Sequence, residues 1–328
     1  MAELNILEAI RSAMDEEMER DERVMILGED VGRKGGVFGA TDGLWAKYGD
    51  RRVLDTPLTE GMIAGAAMGA AVYGMRPIAE MQFADFVYPA FNQIVSEISR
   101  IHYRSNGTFS APMVIRMPYG GGVHGALYHS QSNEAYFAAT VGLKVVAPGT
   151  PADAKGLLKA SIRDPDPVMF FEHKKTYRLF KAEVPDGDML TPIGKASVPR
   201  EGRHLSIFCY GFMRTCALEA AETMAREDGV EVEVVDLRTL RPLDLDTILA
   251  SVEKTGKALV VHEANRFGGF GGEIAATIAE KGFEHLDGPV TRLAGPEVPG
   301  VPYHHTLEDW FMLGPARIVE AARALAAY

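Results

Sequence analysis

Several classes of protein are excluded by what this chain of 328 residues lacks. Its two cysteines, Cys209 and Cys216, cannot build a disulfide framework, and neither has a partner at metal-binding spacing. We predict that both are reduced core residues of a cytoplasmic protein. The net charge is −11, and no long basic run is present, which argues against nucleic acid and anionic membranes as partners.

The chain also lacks the patterns of a self-contained cofactor site. It contains no Walker motif, no dinucleotide fingerprint and no acidic-plus-amide cluster spaced for a magnesium diphosphate. No serine has the context of a nucleophile elbow, which excludes the common hydrolases. A dinucleotide-binding oxidoreductase domain is disfavoured because the dinucleotide fingerprint is missing. The chain therefore has the character of one half of a cofactor site.

Strand-like and helix-like segments alternate along the chain, which predicts an α/β fold of two domains, each a mainly parallel sheet flanked by helices. The stretch from Lys181 to Pro192 is polar and proline-spaced, and it predicts a linker. We therefore predict a first domain over 1–185 and a smaller second domain over 186–328. The first helix should bury one apolar face, formed by Ile6, Leu7, Ile10, Met14 and Met18.

Glu60 stands at the predicted start of a helix in the stretch DTPLTEGMIAGAAMGAAVYG. Pro57 favours an extended entry and Thr59 is a candidate N-cap, so Glu60 falls in the first turn. A carboxylate there is favoured by the helix dipole, and the simplest interpretation is that Glu60 only stabilises the helix end. If the position is shielded from water, however, the carboxyl group can remain protonated and donate a hydrogen bond to a ligand nitrogen.

The glycines of this helix predict a close contact along one of its faces. Gly61, Gly65 and Gly69 recur every four residues, and each lowers helix propensity by about 1 kcal/mol relative to alanine. Because they remove side chains along one stripe, we expect another backbone to pack against it. Glu60 would then lie at the mouth of a tight seam between helices.

Two further segments are candidates for a site. The loop from His124 to Gln131 follows a strand and contains His129 beside several glycines, which is a common setting for site loops in α/β sheets. The histidines lack nearby acidic or cysteine partners, which disfavours a metal. Phe83, Phe86 and Tyr88 are core or interface aromatics by default, but beside Glu60 an aromatic face could stack a flat heterocycle.

Seven motifs follow one another along the chain: LGEDVG (27–32), GLWAKYG (43–49), DTPLTE (55–60), AEMQFADF (79–86), HGALYHSQS (124–132), GLKVVAPGTPADAKGLL (142–158) and DLRTLRP (236–242). In these motifs the chain resembles the β subunits of thiamine-diphosphate-dependent 2-oxo acid dehydrogenases, and more the branched-chain type than the pyruvate type. The resemblance implies a transketolase-like pyrimidine-binding domain followed by a transketolase C-terminal-like domain.

The resemblance implies a role for four residues. Glu60 matches the glutamate that hydrogen-bonds the aminopyrimidine nitrogen of thiamine diphosphate and so promotes removal of the thiazolium proton. Phe86 matches an aromatic residue that packs on the pyrimidine. His129 matches an active-site histidine that orients substrate or assists acyl transfer to lipoamide. Glu29 falls at a second acidic position near the pyrimidine and could belong to a carboxylate chain between paired sites.

The same resemblance implies ions and partners. Mg²⁺ and the diphosphate would be held by an α subunit in an α₂β₂ heterotetramer, and the second domain would pair β subunits and dock a lipoyl acyltransferase core. A potassium ion is expected at a set of carbonyls and carboxylates. That set comprises Ala111, Met113, Val114, Asp164 and Asp166.

Two alternatives stay open at this point. The same kind of subunit could act on pyruvate or acetoin, because most substrate contacts would come from the other chain. From a different class, the chain could be a non-catalytic assembly module, although intact Glu60 and His129 argue against this.

Overall fold

The computed structural model describes residues 1–328 and divides into two compact units. The first unit comprises Met1–Tyr119 and Tyr136–Ile193, and the second comprises Gly120–Ala135 and Gly194–Tyr328. None of the helices has the length and apolar character needed to cross a membrane.

The first unit alternates short strands and helices. Its strands are β1 (Ala2–Leu4), β2 (Val24–Gly28), β3 (Val53–Asp55), β4 (Arg76–Glu80), β5 (Val114–Tyr119), β6 (Lys144–Val146), β7 (Val168–His173) and β8 (Ala182–Val184). Its helices are α1 (Ile6–Arg20), α2 (Leu44–Tyr48), α3 (Glu60–Val72), α4 (Ile101–Arg104), α5 (Glu134–Ala138, which begins in the second unit) and α6 (Pro151–Arg163). Single 3₁₀ turns cover Ala84–Phe86, Tyr88–Ala90 and Lys174–Thr176, and a π-helical segment covers Gln93–Ile98.

Six strands of this unit form a parallel sheet in the order β6-β7-β5-β4-β2-β3. In its register, Leu27 of β2 lies between Leu54 of β3 and Ala79 of β4. Because parallel strands all end at the same edge, the residues that follow β2, β3 and β4 are brought together there. This edge receives Glu29 and the start of α3.

Helix α1 closes one side of the sheet against α6, and its start is fixed by a capping box. The Asn5 side chain accepts from the Glu8 amide, and the Glu8 carboxylate accepts from the Asn5 amide, both at 2.9 Å. The predicted apolar face is confirmed, because every one of its members is buried: Ile6, Leu7, Ile10, Met14 and Met18.

The second unit has the same alternation. Its strands are β9 (Ser197–Arg200), β10 (Leu205–Cys209), β11 (Val232–Asp236), β12 (Thr239–Arg241), β13 (Ala258–Asn265) and β14 (Thr291–Gly295). Its remaining helices are α7 (Phe212–Asp228), α8 (Leu245–Thr255), α9 (Gly271–Lys281), α10 (His305–Phe311) and α11 (Pro315–Ala326), with a 3₁₀ turn at Phe283–His285. The sheet order is β14-β13-β10-β11-β9, in which only β9 is antiparallel to its neighbour.

The predicted α/β fold with mainly parallel sheets is confirmed, and Cys209 and Cys216 are buried in the second core and form no disulfide. The interpretation of Lys181 to Pro192 as a plain linker is wrong. Strand β8 lies within it and pairs antiparallel with β1, and Asp188 forms ion pairs with Lys159 at 3.1 Å and with Arg163. These long-range contacts fasten the stretch to the first unit.

Candidate active-site residues

Glu60 lies where the sequence predicted, as the first residue of α3, and its side chain is buried, with only 7% of the residue exposed. The predicted cap differs in its chemistry. Thr59 occupies the N-cap position, but its side chain makes no capping hydrogen bond. Its backbone carbonyl accepts instead from the amides of Met62 and Ile63, each at 3.0 Å. Helix α3 therefore starts with ordinary backbone bonds to the Thr59 carbonyl, and the predicted side-chain cap by Thr59 is wrong.

Glu29 follows β2 directly and is as buried as Glu60. Burial raises the pKa of its carboxyl group, the nearby negative charges of Glu60 and Asp30 raise it further, and a hydrogen bond with the Thr59 backbone opposes them. Its Oε1 atom is buried without a hydrogen-bond partner. Since a buried polar atom without a partner is costly, this oxygen is suited to a ligand that brings a donor.

An aromatic turn lies beside the start of α3. Gly61 packs so closely against this turn that a Cβ atom there would be 3.1 Å from the Pro89 carbonyl oxygen. Phe86 is half-buried in the turn and meets Phe83 edge-to-face, with 5.4 Å between ring centroids. Two buried carboxyls with an unfilled acceptor and a half-buried aromatic ring fit a flat heterocycle that carries amino and ring nitrogens. The residues present therefore fit the pyrimidine part of thiamine diphosphate.

A buried ion network lies in the sheet of the same unit. Arg116 donates to Glu80 at 2.6 Å and to both oxygens of Glu172 at 2.6 and 2.8 Å, and the Tyr177 hydroxyl donates to Glu172 at 2.6 Å. All four side chains are essentially buried. Breaking such a network leaves an unpaired buried charge, so it fixes β4, β5 and β7 relative to one another.

Two of the residues predicted to bind potassium, Asp164 and Asp166, already pair with the ammonium group of Lys144. Lys144 Nζ lies 2.6 and 2.8 Å from the Asp164 carboxylate oxygens and 3.2 Å from Asp166 Oδ2. The Met113 carbonyl accepts from the Val168 amide at 3.0 Å. The ammonium group already neutralises the two carboxylates. A potassium ion at this place would therefore require Lys144 to move away.

His129 belongs to the loop that groups with the second unit, whereas Glu29, Glu60 and Phe86 belong to the first. It is half-buried, and its Nδ1 lies 3.2 Å from the Gly125 carbonyl oxygen. If Nδ1 carries the proton in this contact, the other ring nitrogen is left as an acceptor. The loop contact therefore selects the tautomer of the histidine.

Sequence reasoning missed two carboxylates that hold this loop. Glu263 near the end of β13 accepts from the Gly121 amide at 2.7 Å and from the Ser132 hydroxyl at 3.2 Å. Glu308 of α10 accepts from the amides of Gly122 and His124. No local sequence pattern marked Glu263 or Glu308 as a contact of this loop.

Comparison with known proteins gives a family for the whole chain. Residues 2–179 match the pyrimidine-binding domain of transketolase, and residues 194–318 match the transketolase C-terminal domain. The chain is 57% identical over 328 residues to the 2-oxoisovalerate dehydrogenase subunit beta of Bacillus subtilis (strain 168), with 100% of both chains covered. This chain belongs to the β-subunit family of thiamine-diphosphate-dependent 2-oxo acid dehydrogenases.

Two other relatives of this β-subunit family show its breadth. The 2-oxoisovalerate dehydrogenase subunit beta of Pseudomonas aeruginosa is 45% identical, covering 96% of this chain and 93% of that protein. The pyruvate dehydrogenase E1 component subunit beta of Bacillus subtilis (strain 168) is 48% identical, covering 90% and 91%. A solved structure described as a split-gene transketolase, inactive beta4 tetramer, has a TM-score of 0.80 at 23% identity over 99% of both chains, which shows the shared fold.

Proposed function

We propose that this chain is the β subunit of the decarboxylating component of a branched-chain 2-oxo acid dehydrogenase complex. The observation that carries the proposal is the buried pair formed by Glu29 and Glu60 at the carboxyl edge of the first sheet. The branched-chain substrate is favoured by the relative that is similar over the full length, whose name specifies 2-oxoisovalerate.

When bound, thiamine diphosphate would supply a carbon nucleophile for the 2-oxo group and an electron sink for decarboxylation. Glu60 holds a proton at its carboxyl oxygen and donates a hydrogen bond to a pyrimidine nitrogen. Burial and the nearby charges of Glu60 and Asp30 raise the pKa of Glu29, so this second carboxyl favours its protonated form beside Glu60. Phe86 packs on the ring and excludes water from this side.

His129 is proposed to act after decarboxylation, when the acyl group is transferred to lipoamide, or to orient the substrate. Its ring is fixed through Gly125 in the loop of the second unit. An acceptor nitrogen on a fixed imidazole can take a proton from an incoming thiol or donate one to a leaving sulfur.

The proposal includes partners and ions that this chain does not supply by itself. An α subunit would hold the diphosphate with Mg²⁺ in an α₂β₂ assembly, and the second domain (186–328) would pair β subunits and dock a lipoyl acyltransferase core. The assembly would work in the cytoplasm. Potassium at Asp164 and Asp166 stays a prediction, and it would have to displace the Lys144 ammonium group.

A close alternative is the same subunit acting on pyruvate. Similarity to the pyruvate dehydrogenase E1 component subunit beta at 48% identity supports it. The two substrates differ by two carbons in the side chain, and each extra methylene in an apolar pocket changes selectivity by about 10- to 200-fold. Rates must therefore be compared directly.

The test is dye-coupled decarboxylation by the chain co-purified with its α partner. We expect 3-methyl-2-oxobutanoate to be preferred over pyruvate, activity to require thiamine diphosphate, and Glu60→Gln to reduce the rate by roughly 10²- to 10⁴-fold, the usual contribution of a positioned acid or base. Glu273→Gln is the matched control, because Glu273 is an exposed carboxylate in the first turn of α9.

The possible results separate the components of the proposal. Preference for pyruvate would overturn only the substrate assignment. Full activity of Glu60→Gln would overturn the role of the buried pair. Activity of the isolated chain without any α partner would overturn the assignment of a divided site.

A further inference from the structure

The loop that carries His129 has a backbone that is costly to maintain. Gly120 and Gly122 have φ of +83° and +79°, a region that glycine adopts easily. His124 and Ala126 have φ of +59° and +56°, which side chains with a Cβ atom rarely adopt. Such a conformation persists only where surrounding contacts enforce it.

Glu308 provides those contacts at the strained point. Its carboxylate accepts from the Gly122 amide at 2.9 Å and from the His124 amide at 3.2 Å, and it also pairs with the His124 imidazole through Nδ1. Only 1% of Glu308 is exposed, so water competes poorly for these bonds. Hydrogen bonds from backbone amides to a buried carboxylate belong to the stronger class of such bonds.

Packing confines the same loop on both sides. A Cβ atom at Gly121 would lie 2.8 Å from Met312 Sδ, just beyond the end of α10. A Cβ atom at Gly300 would lie 2.8 Å from Leu127 Cβ. At its ends the loop is held by Glu263, through Gly121 and Ser132. The position of Glu308 on α10 therefore sets where the middle of the loop lies.

The residue after His124, Gly125, contacts His129 directly. Gly125 follows His124 directly, and a Cβ atom there would be 2.9 Å from His129 Cβ. The Gly125 carbonyl oxygen also lies 3.2 Å from His129 Nδ1. A change in the backbone at His124 thus alters both the packing and the hydrogen bond of the His129 ring.

We propose that Glu308 is a positioning residue for the reaction, which holds the strained loop from Gly122 to Ala126 and thereby fixes the His129 ring. The inference rests on the proposed function for the step in which it acts. Its alternative is that Glu308 only stabilises a surface loop, with no effect on His129. The two differ in whether the effects of changing Glu308 and His129 are coupled.

The kinetic experiment uses the assembled α and β subunits and compares dye-coupled decarboxylation with acyl transfer to a lipoyl domain. We expect Glu308→Ala to reduce the step that His129→Ala impairs by about 10²-fold, the cost of displacing a catalytic group by about 1 Å. In the double variant, Glu308→Ala should add less than about 3-fold to the loss caused by His129→Ala. The proposal would be overturned if the fold-losses of the two single variants multiplied in the double variant. It would also be overturned if Glu308→Ala kept full activity.

Two variants distinguish positioning from general damage to the fold. Glu308→Gln keeps a carbonyl oxygen for the Gly122 amide, so it should retain at least about 10-fold more activity than Glu308→Ala. An equal loss in both would refute a role through these hydrogen bonds. Asp309→Ala is the matched control on α10, because Asp309 is exposed. If Glu308→Ala does not fold, the same cycle is run with Glu308→Gln.

Hydrogen exchange provides a readout that is independent of activity. In the assembled wild type, amides across 120–133 should exchange slowly, and Glu308→Gln should accelerate them at least about 10-fold without changing α7. Unchanged exchange in the loop would overturn the proposal even if activity fell. Wild-type inactivity towards both 2-oxo acids, with faster loop exchange in Glu308→Gln, would overturn the proposed function and leave the loop contact intact.

Discussion

The buried carboxyl of Glu29 links the site to the pH dependence of stability. Burial raises its pKa above the ordinary value of 4.5, and Glu60 and Asp30 add to the effect. The folded chain therefore keeps this proton at a pH where the unfolded chain has lost it. The contribution of Glu29 is most favourable below the unfolded pKa and is lost as pH rises through the folded pKa.

Replacing Glu29 with glutamine should remove that penalty in the isolated chain. We expect the Tm of Glu29→Gln, relative to wild type, to increase as pH rises from about 5 to about 8, because only wild type must ionise a buried group. Asp50→Asn is the control, because it makes the same kind of change at an exposed carboxylate. A Tm difference for Glu29→Gln that falls with pH would contradict the argument.

Lys144 decides how the chain responds to potassium. Burial alone would lower its pKa, but hydrogen bonds and charge from Asp164 and Asp166 raise it, so the ammonium group persists. If the Lys144 ammonium group fills the site, wild-type Tm should be equal in KCl and NaCl. Lys144→Met should gain a potassium-specific stabilisation of about 1.4 kcal/mol at ten times the ion's Kd. Lys34→Met is the control, because Lys34 forms an exposed ion pair with Asp30. A potassium-specific increase in wild-type Tm would show that Lys144 does not fill the site.

The three glycines of the stripe on helix α3 have different surroundings. Gly61 faces the Pro89 carbonyl within the chain, whereas at Gly65 and Gly69 a Cβ atom would meet nothing within 4 Å beyond the adjacent backbone of α3 itself. The close backbone contact predicted from the glycine stripe is therefore present at one glycine only. At the other two it stays a prediction about another subunit.

Alanine at Gly65 and Gly69 should separate folding from assembly. Each change raises helix propensity, so urea unfolding of the isolated chain should show up to about 1 kcal/mol more stability per site. The same double variant should form less α₂β₂ complex in size-exclusion chromatography, because two methyl groups enter the seam. Unimpaired assembly would mean that this face is not a subunit contact. Gly61→Ala, which crowds Pro89, is expected to lower stability instead.

On the scale of the whole molecule, local patterns predicted the elements, and distant contacts decided their details. Glu60 begins a helix as expected, because Pro57 and the apolar run after Gly61 act locally. Strand β8 was missed because its partner β1 lies at the other end of the first unit. Helix α10 was also missed, since seven residues give little periodicity. Glu308 on that helix contacts Gly122 across 186 positions of sequence, a distance no local pattern conveys.

The whole chain should respond to its cofactor only as part of an assembly. It has two buried carboxyls, Glu29 and Glu60, which we propose bind the pyrimidine, but its sequence contains no cluster spaced for a magnesium diphosphate. We expect thiamine diphosphate with Mg²⁺ to leave the Tm of the isolated chain unchanged. The complex with the α partner should gain about 2.7 kcal/mol at 100 times Kd, and less in Glu60→Gln. Tight binding to the isolated chain in calorimetry would instead mean that one subunit holds both ends of the cofactor.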